Sequence, residues 1–339
     1  MRVLICGLLG TILVGCQVAP NPNSDSQPKE TSKDEVSQVE ESTAVQQPET
    51  DATPKLAKEP VVTPQSQEDV WQRIAMQLEM PIPQHKTVDY YRTWYLKHPG
   101  HLRTVSQRAQ PFMHLIVEKI EERDLPMELA LLPIVESSFD AFAYSHGRAA
   151  GLWQFVPATG KAMGLEQNFW YDGRRDVSAS TDAALDYLTQ QSRRFDGDWS
   201  HAIAAYNSGG GRVNSAIRKN RNAGKPTDFF SLDLPKETSG YLPKLLALAD
   251  IVANQEKYGI DIPAIANEKV VTQIDPEEQL DLAVAAEYAG ISVKELQGLN
   301  LPTTNGQQHQ RRTTSFCFLR HQYSNSRKTS KQIVVKACA

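Results

Sequence analysis

A mainly α fold is what this sequence predicts, on three observations. From Glu68 onward apolar side chains recur at helical spacing, as with Trp71, Ile74 and Leu78 in "EDVWQRIAMQLEM". Alternating β-branched runs, the mark of half-buried strands, are almost absent before residue 267. Proline falls where a helix begins: Pro126 suits the first turn of the helix through "MELALLPIVESS". The 339 residues, 40% hydrophobic and 22% charged, suffice for one sizeable core and a small second domain. A formal net charge of −4 offers no global attraction to nucleic acid, which is not expected as a partner.

The chain opens on "MRVLICGLLGTILVG", in which Arg2 precedes an apolar run ending at Val14. The run is too short to span a bilayer as a helix and reads as the apolar region of a secretory signal over residues 1–15. Leu13, Val14, Gly15 and Cys16 resemble a bacterial lipobox, in which the cysteine is acylated and becomes the mature N-terminus. Gln17, and not Asp, at the next position resembles outer-membrane sorting in a Gram-negative envelope. An ordinary signal peptide with a chance cysteine is the alternative. No cysteine lies between Cys16 and Cys317, so an exported domain here rests on its own core.

Residues 17–66 hold seven prolines, nine acidic and four basic residues, and no aromatic residue. Such a segment cannot offset chain entropy by burial, so residues 16–66 read as a lipidated, disordered tether. A flexible coil of that length spans roughly 40 Å r.m.s. and reaches about 170 Å when extended. Residues 67–110 read as an N-terminal helical extension, with "TVDYYRTWYLKH" as one of its helices. His98 and His101 flank Pro99-Gly100 and mark a turn there. A helical domain is expected over residues 111–265. Pro133 should bend its "MELALLPIVESS" helix. "SASTDAALDYLTQQSRRF", "SHAIAAYN", "GRVNSAIRKN" and "SGYLPKLLALADIVANQEKYG" supply further helices.

In 266–300, "QLDLAVAAEYAGISVKELQGLN" holds two short helical patterns, with Ser292 as N-cap of the second. The segment resembles the start of a LysM glycan-binding module, which sets a strand on each side of two helices. The second strand is not recognisable. Residues 301–339 hold seven Lys or Arg and no acidic residue, and read as an irregular basic tail. A shifted reading frame near codon 301 is one explanation. A tail attracted to anionic wall or membrane polymers is the other.

The chemistry concentrates around Glu136. It follows the apolar run "LALLPIV" and precedes a loop of Ser, His and Gly. Beside apolar walls a carboxyl's neutral form is favoured, which equips it to donate a proton near neutral pH. A capping or salt-bridged glutamate is the structural alternative. In "GLWQFVP", Trp153 and Phe155 flank Gln154, a pattern suited to a sugar, though core packing also claims such aromatics. Ser145, nine residues after Glu136, could orient the carboxyl or receive a substrate oxygen. "AAYNSGGGRV" would project Tyr206 and Asn207 into a cleft, its glycines allowing positive φ and close approach; a helix C-cap is the structural reading. In "ETSGYLPKLLA", Glu237 reads as a helix-start acid and Tyr241, four residues on, faces the same cleft.

The set "ESSFDAFAYSHGRAAGLWQF", "AAYNSGGGRV" and "ETSGYLPKLLA", in this order, resembles the soluble-type lytic transglycosylase family, whose fold is goose-lysozyme-like. The resemblance spans about residues 67–300. It implies that Glu136 is the sole catalytic acid/base and that Ser145, Gln154, Tyr206, Asn207 and Tyr241 line the substrate cleft. It implies cleavage of peptidoglycan between N-acetylmuramic acid and N-acetylglucosamine, leaving a 1,6-anhydro end. Ala150 beside Gly151 is a small departure that should be harmless; the absent LysM repeats are a larger one. Most glycosidases use two carboxylates. Asp140, Asp172, Asp176 and Asp182 lack an evident apolar setting, which suits a one-carboxylate scheme. No cofactor or metal is expected, since no cluster has ligand spacing, and a monomer is expected. A lysozyme-like hydrolase, a non-catalytic wall-binding lipoprotein and an inactive gene product remain the competing readings.

Overall fold

The computed structural model describes residues 61–169, 171–274, 282–299 and 316–319. The expected signal segment, Cys16, the tether up to residue 60, and residues 301–315 and 320–339 of the tail lie outside the described residues. The described residues begin inside the stretch that composition assigns to the tether. Pro64–Ser66 form a 3-10 turn closed by a capping box, in which Ser66 N donates to Thr63 Oγ1 (3.2 Å) and Thr63 N to Ser66 Oγ (2.9 Å). Composition misses it because two local hydrogen bonds, and not burial, hold the turn.

Helix α1 (Val70–Ala75) starts where Asp69 Oδ1 accepts the Trp71 N–H. Trp71 and Ile74 are buried as the spacing predicts, but the helix stops at Ala75. Leu78 therefore reaches the core from the following loop. That loop is braced by the buried Glu128, whose Oε1 accepts from Glu79 N (2.8 Å) and Met80 N (2.7 Å). Helices α2 (Lys86–Lys97) and α3 (Pro99–Ala109) meet at His98, and Pro99, Gly100 and His101, expected at a turn, open α3 instead. Next come α4 (Met113–Glu121), a 3-10 helix (Met127–Leu131) and α5 (Leu132–Ser137). One helix bent at Pro133 was the expectation. Instead two helices abut, and Pro133 lies in the first turn of α5, where a missing N–H forfeits no intrahelical bond.

Helices α6 (Pro157–Ala162), α7 (Val177–Arg194), α8 (Trp199–Ser208), α9 (Gly210–Asn222), α10 (Lys236–Ala253) and α11 (Gln255–Tyr258) follow. Helix α10 is the axis. Leu242, Leu245, Leu248 and Ile251 on it are wholly buried, and α1, α2, α5 and α8 pack against it. A helix that is apolar nearly all round belongs at the centre of a domain. Residues of α1 to α3 share one apolar cluster with those of α4 to α10, so no gap in packing marks residue 110 as a boundary. The chain returns to its start after α11: Val70 N donates to Ile265 O (2.8 Å), Ile265 N to Asp69 Oδ1 (2.9 Å) and Asn267 N to Glu68 O (2.9 Å).

A second small cluster follows. Strand β1 (Val271–Ile274), helices α12 (Leu282–Ala289) and α13 (Val293–Leu299) and strand β2 (Phe316–Leu319) succeed one another. The strands pair antiparallel, from Val271 opposite Leu319 to Ile274 opposite Phe316. Ser292 caps α13 as expected, its Oγ accepting from Glu295 N (3.1 Å) while Glu295 Oε2 accepts from Ser292 N (2.8 Å). The reading of 301–339 as wholly irregular is corrected at β2. Its run "FCFL" carries no alternation, so periodicity cannot flag it, and its partner is distant in sequence. No helix among the described residues is long and apolar enough to cross a membrane.

Candidate active site

Glu136 occupies the last turn of α5, and the helix ends abruptly behind it. Ser138 and Phe139 both take positive φ (53° and 57°), with Ser138 N donating to Ile134 O (3.1 Å) and Phe139 N to Pro133 O (3.0 Å). Two successive non-glycine residues in that region are costly, and the burial of the Phe139 ring offsets the cost. Ser137 Oγ donates to Pro133 O and Leu152 O (both 3.0 Å), tying the helix end to the next loop. Glu136 is thus fixed at a half-buried position where α5 meets α10.

Its hydrogen-bond partner is Tyr241 of α10, whose hydroxyl donates to Glu136 Oε1 at 2.5 Å. No ion pair touches Glu136 among the described residues. Burial pushes its pKa up to about 7. The Tyr241 bond pulls the other way, Glu237 adds to the rise, and Lys244 opposes it. Burial and the Glu136 charge raise both Tyr241 and Tyr206 well above the usual phenol range, so both stay protonated donors. Tyr206, near the end of α8, donates to Trp153 O at 2.7 Å. Asn207, next to it, accepts from Thr238 Oγ1 (2.8 Å) and donates from Nδ2 to Glu237 Oε1 (3.2 Å). The α8–α9 turn permits this: Gly209 takes φ 85°, and a Cβ on Gly210 would sit 2.5 Å from Gln191 Oε1.

Glu136, Tyr206, Asn207 and Tyr241 are therefore brought together from three helices. Ser145 and Gln154 are not joined to them by hydrogen bonds. Ser145 Oγ accepts from Ala149 N (3.0 Å), and Gln154 Nε2 donates to Gly151 O (2.9 Å). Both close their own loop, a short-range alternative that spacing alone does not reveal. Trp153 and Phe155 are buried, Trp153 bonding Thr181 Oγ1 (2.9 Å), so neither offers a ring face to a sugar. The exposed aromatics of this loop are Phe142 and Tyr144. Arg174 pins the loop from beneath, donating to Arg148 O (2.6 Å) and Phe155 O (3.1 Å) while paired with Asp172 (2.7 Å). Ala150 is buried and accommodated.

The aspartates considered as a second carboxylate are engaged elsewhere, Asp172 with Arg174. Asp140 pairs with Arg108, Asp182 with Lys119 and Arg123, and Asp176 caps α7. Sequence reasoning missed that Glu237 and Lys244 act on the Glu136 carboxyl and that Thr238 and Glu237 hold Asn207. A signal existed: 237, 241 and 244 recur at helical spacing on one face of α10. Among the described residues no group of three His, Cys, Asp or Glu is placed to hold a metal ion. A separate cavity of about 970 Å³, where residues 66–72 meet 255–266, contains none of these side chains.

Residues 115–229 match the family model described as Transglycosylase SLT domain. The chain is 45% identical over 232 residues to membrane-bound lytic murein transglycosylase D of Escherichia coli (strain K12), covering 68% of this chain and 51% of that protein. It thus spans about half the length of that relative. It is also 43% identical over 166 residues, 49% of this chain, to a putative tributyltin chloride resistance protein of Alteromonas sp. (strain M-1), 78% of which is covered. The chain belongs to the SLT-domain transglycosylase family. An X-ray structure of an inactive mutant of lytic transglycosylase Slt from Pseudomonas aeruginosa is 18% identical, with 57% of this chain and 33% of that one covered and a TM-score of 0.37. The segment that matches the family model contains Glu136, Tyr206 and Asn207, whereas Glu237, Tyr241 and Lys244 lie beyond it on α10. The site is complete only once α10 has packed.

Proposed function

We propose that this chain is a lytic transglycosylase, with Glu136 as its single acid/base. The observation that carries the reading is a half-buried carboxyl, raised to about 7, bonded by a tyrosine and free of any ion pair among the described residues. Protonated Glu136 gives its proton to the glycosidic oxygen between N-acetylmuramic acid and N-acetylglucosamine as the C1–O bond breaks. The muramic sugar's acetamide stabilises the oxocarbenium-like centre, as in substrate-assisted glycosidases. Ionised Glu136 then takes the proton from the C6 hydroxyl of that sugar, and O6 closes on C1. Water is not consumed, and ring closure gains from being intramolecular. Tyr241 holds the carboxyl in both protonation states. Tyr206 and Asn207 bind substrate; Ser145 and Gln154 shape the loop above it.

A hydrolytic reading has one observation in its favour: Glu237 is a second carboxylate whose charge reaches Glu136. The product separates the two. Mass spectrometry of digested sacculi should show 1,6-anhydromuramyl ends; reducing ends would mean that water attacked, through a second group such as Glu237.

Residues 16–66 are proposed as a tether lipidated at Cys16, which carries the domain from the outer membrane to the wall. The 45% identical relative is itself membrane-bound by name. A C16S variant should move from the membrane to the soluble periplasmic fraction, and its retention in the membrane would refute the anchor. The antiparallel pair β1–β2 with two helices between its strands supports a LysM-like, glycan-binding reading of 266–319.

A further inference from the structure

Helix α2 carries a row of aromatic side chains that the site described above does not use. Tyr90 and Trp94 are exposed, at 63% and 38%. With Tyr91 and His98 they recur at three- and four-residue spacing, which sets them along one flank of the helix. The row covers roughly 12 Å at 1.5 Å per residue.

The row is held rigid. The Trp94 indole stacks on His98, with ring centroids 4.5 Å apart at 24°. His98 Nδ1 donates to the Trp94 carbonyl at 2.6 Å, which locks the imidazole. Tyr95 and His101 meet the indole edge to face at 5.2 and 5.4 Å. A platform fixed this way loses little conformational entropy when a ligand stacks on it.

The row also leads to Glu136. The Tyr91 hydroxyl lies against α10 at Gly240, where a Cβ would stand 2.4 Å from it. Lys244 Nζ lies 5.4 Å from the centroid of the Tyr91 ring. Tyr90 meets that ring edge to face at 5.1 Å. Lys244 in turn is near enough to act electrostatically on the Glu136 carboxyl. The aromatic flank of α2 and the acid on α5 therefore border the same stretch of α10.

We propose that Tyr90 and Trp94 form a remote subsite that stacks the sugar rings of the glycan strand where it runs on from the scissile bond. The inference rests on the transglycosylase reading and extends it to a specificity for long strands. Pyranose faces are apolar and their edges polar. Arg92, the charged residue between the two rings in sequence, is paired with Asp89 and Asp250, so the exposed rings suit such a ligand better than they suit a charged stem peptide.

The test uses the full chain carrying E136Q, which should bind without cutting, and glycan strands stripped of their stem peptides. Calorimetric titration with long strands and with a disaccharide fragment is the measurement. Adding W94A or Y90A should weaken long-strand binding roughly five- to tenfold and leave disaccharide binding within about twofold, with W94Y restoring most of the loss. Tyr90 is exposed enough that its removal does not endanger the fold. Equal long-strand affinity in E136Q, W94A/E136Q and Y90A/E136Q would overturn the subsite alone. Failure of E136Q itself to bind strands would overturn the transglycosylase reading, and the subsite with it.

Discussion

Replacing Glu136 by glutamine should lower glycan cleavage by about 10²–10⁴-fold and yield a folded protein that is more stable than the parent above neutral pH. The two effects share one cause. In the folded state the Glu136 carboxyl titrates near 7, well above its ordinary value of 4.5. Between those two pH values the folded chain binds more protons at this position than the unfolded chain does. Stability therefore falls as pH rises through that window, and the penalty is complete above about 7. Glutamine is neutral throughout and still accepts the Tyr241 hydroxyl bond through its amide oxygen. It should relieve on the order of 1–3 kcal/mol at pH 8, read as a higher melting temperature, with little difference at pH 4. A structural glutamate predicts the reverse: lost stability and retained turnover. An E136Q protein that melts earlier at pH 8 and still releases anhydro products would remove Glu136 from the mechanism.

The same contrast explains what was legible in the amino-acid sequence alone. Helices α2, α7 and α10 announce themselves through long periodic stretches, and Ser292 through its capping pattern. Glu136 is conspicuous because an acid ending an apolar run needs an explanation. What failed is instructive in each case. Trp153 and Phe155 look like a sugar platform in one dimension, but their loop is closed by Ala150 N donating to Phe155 O (3.1 Å) and pinned by Arg174, which turns both rings inward. Ser145 looks like a ligand contact because it sits in a loop with Gly147 and Gly151 after Glu136, and Gln154 because Trp153 and Phe155 flank it. Their partners are backbone atoms a few residues away, a competition that is settled only by loop geometry. Strand β2 was invisible because a four-residue apolar run has no period. Glu237 read as a helix-start acid because its second role depends on α10 packing against α5 and α8, which no local pattern encodes.

Two further substitutions should move the pH dependence of cleavage in opposite directions. The first step needs Glu136 protonated, so the rate should decline as pH rises through about 7. In E237Q the amide still accepts from Asn207 Nδ2, while the negative charge that raises the Glu136 pKa is gone. Glu136 then ionises earlier, and the decline should shift to lower pH with little loss at the acidic plateau. In Y241F the hydroxyl that stabilises the carboxylate is missing. Glu136 then ionises later, and the decline should shift to higher pH. The plateau should fall on the order of tenfold or more, because a hydrogen bond to a charged group is worth about 1.5–3 kcal/mol and the ionised carboxylate must be held for the second proton transfer. A merely structural Tyr241 would reduce the plateau without moving the profile. Shifts of the same sign in both variants would contradict the electrostatic arrangement of the site, since one substitution deletes a repulsion felt by the carboxylate and the other deletes an attraction.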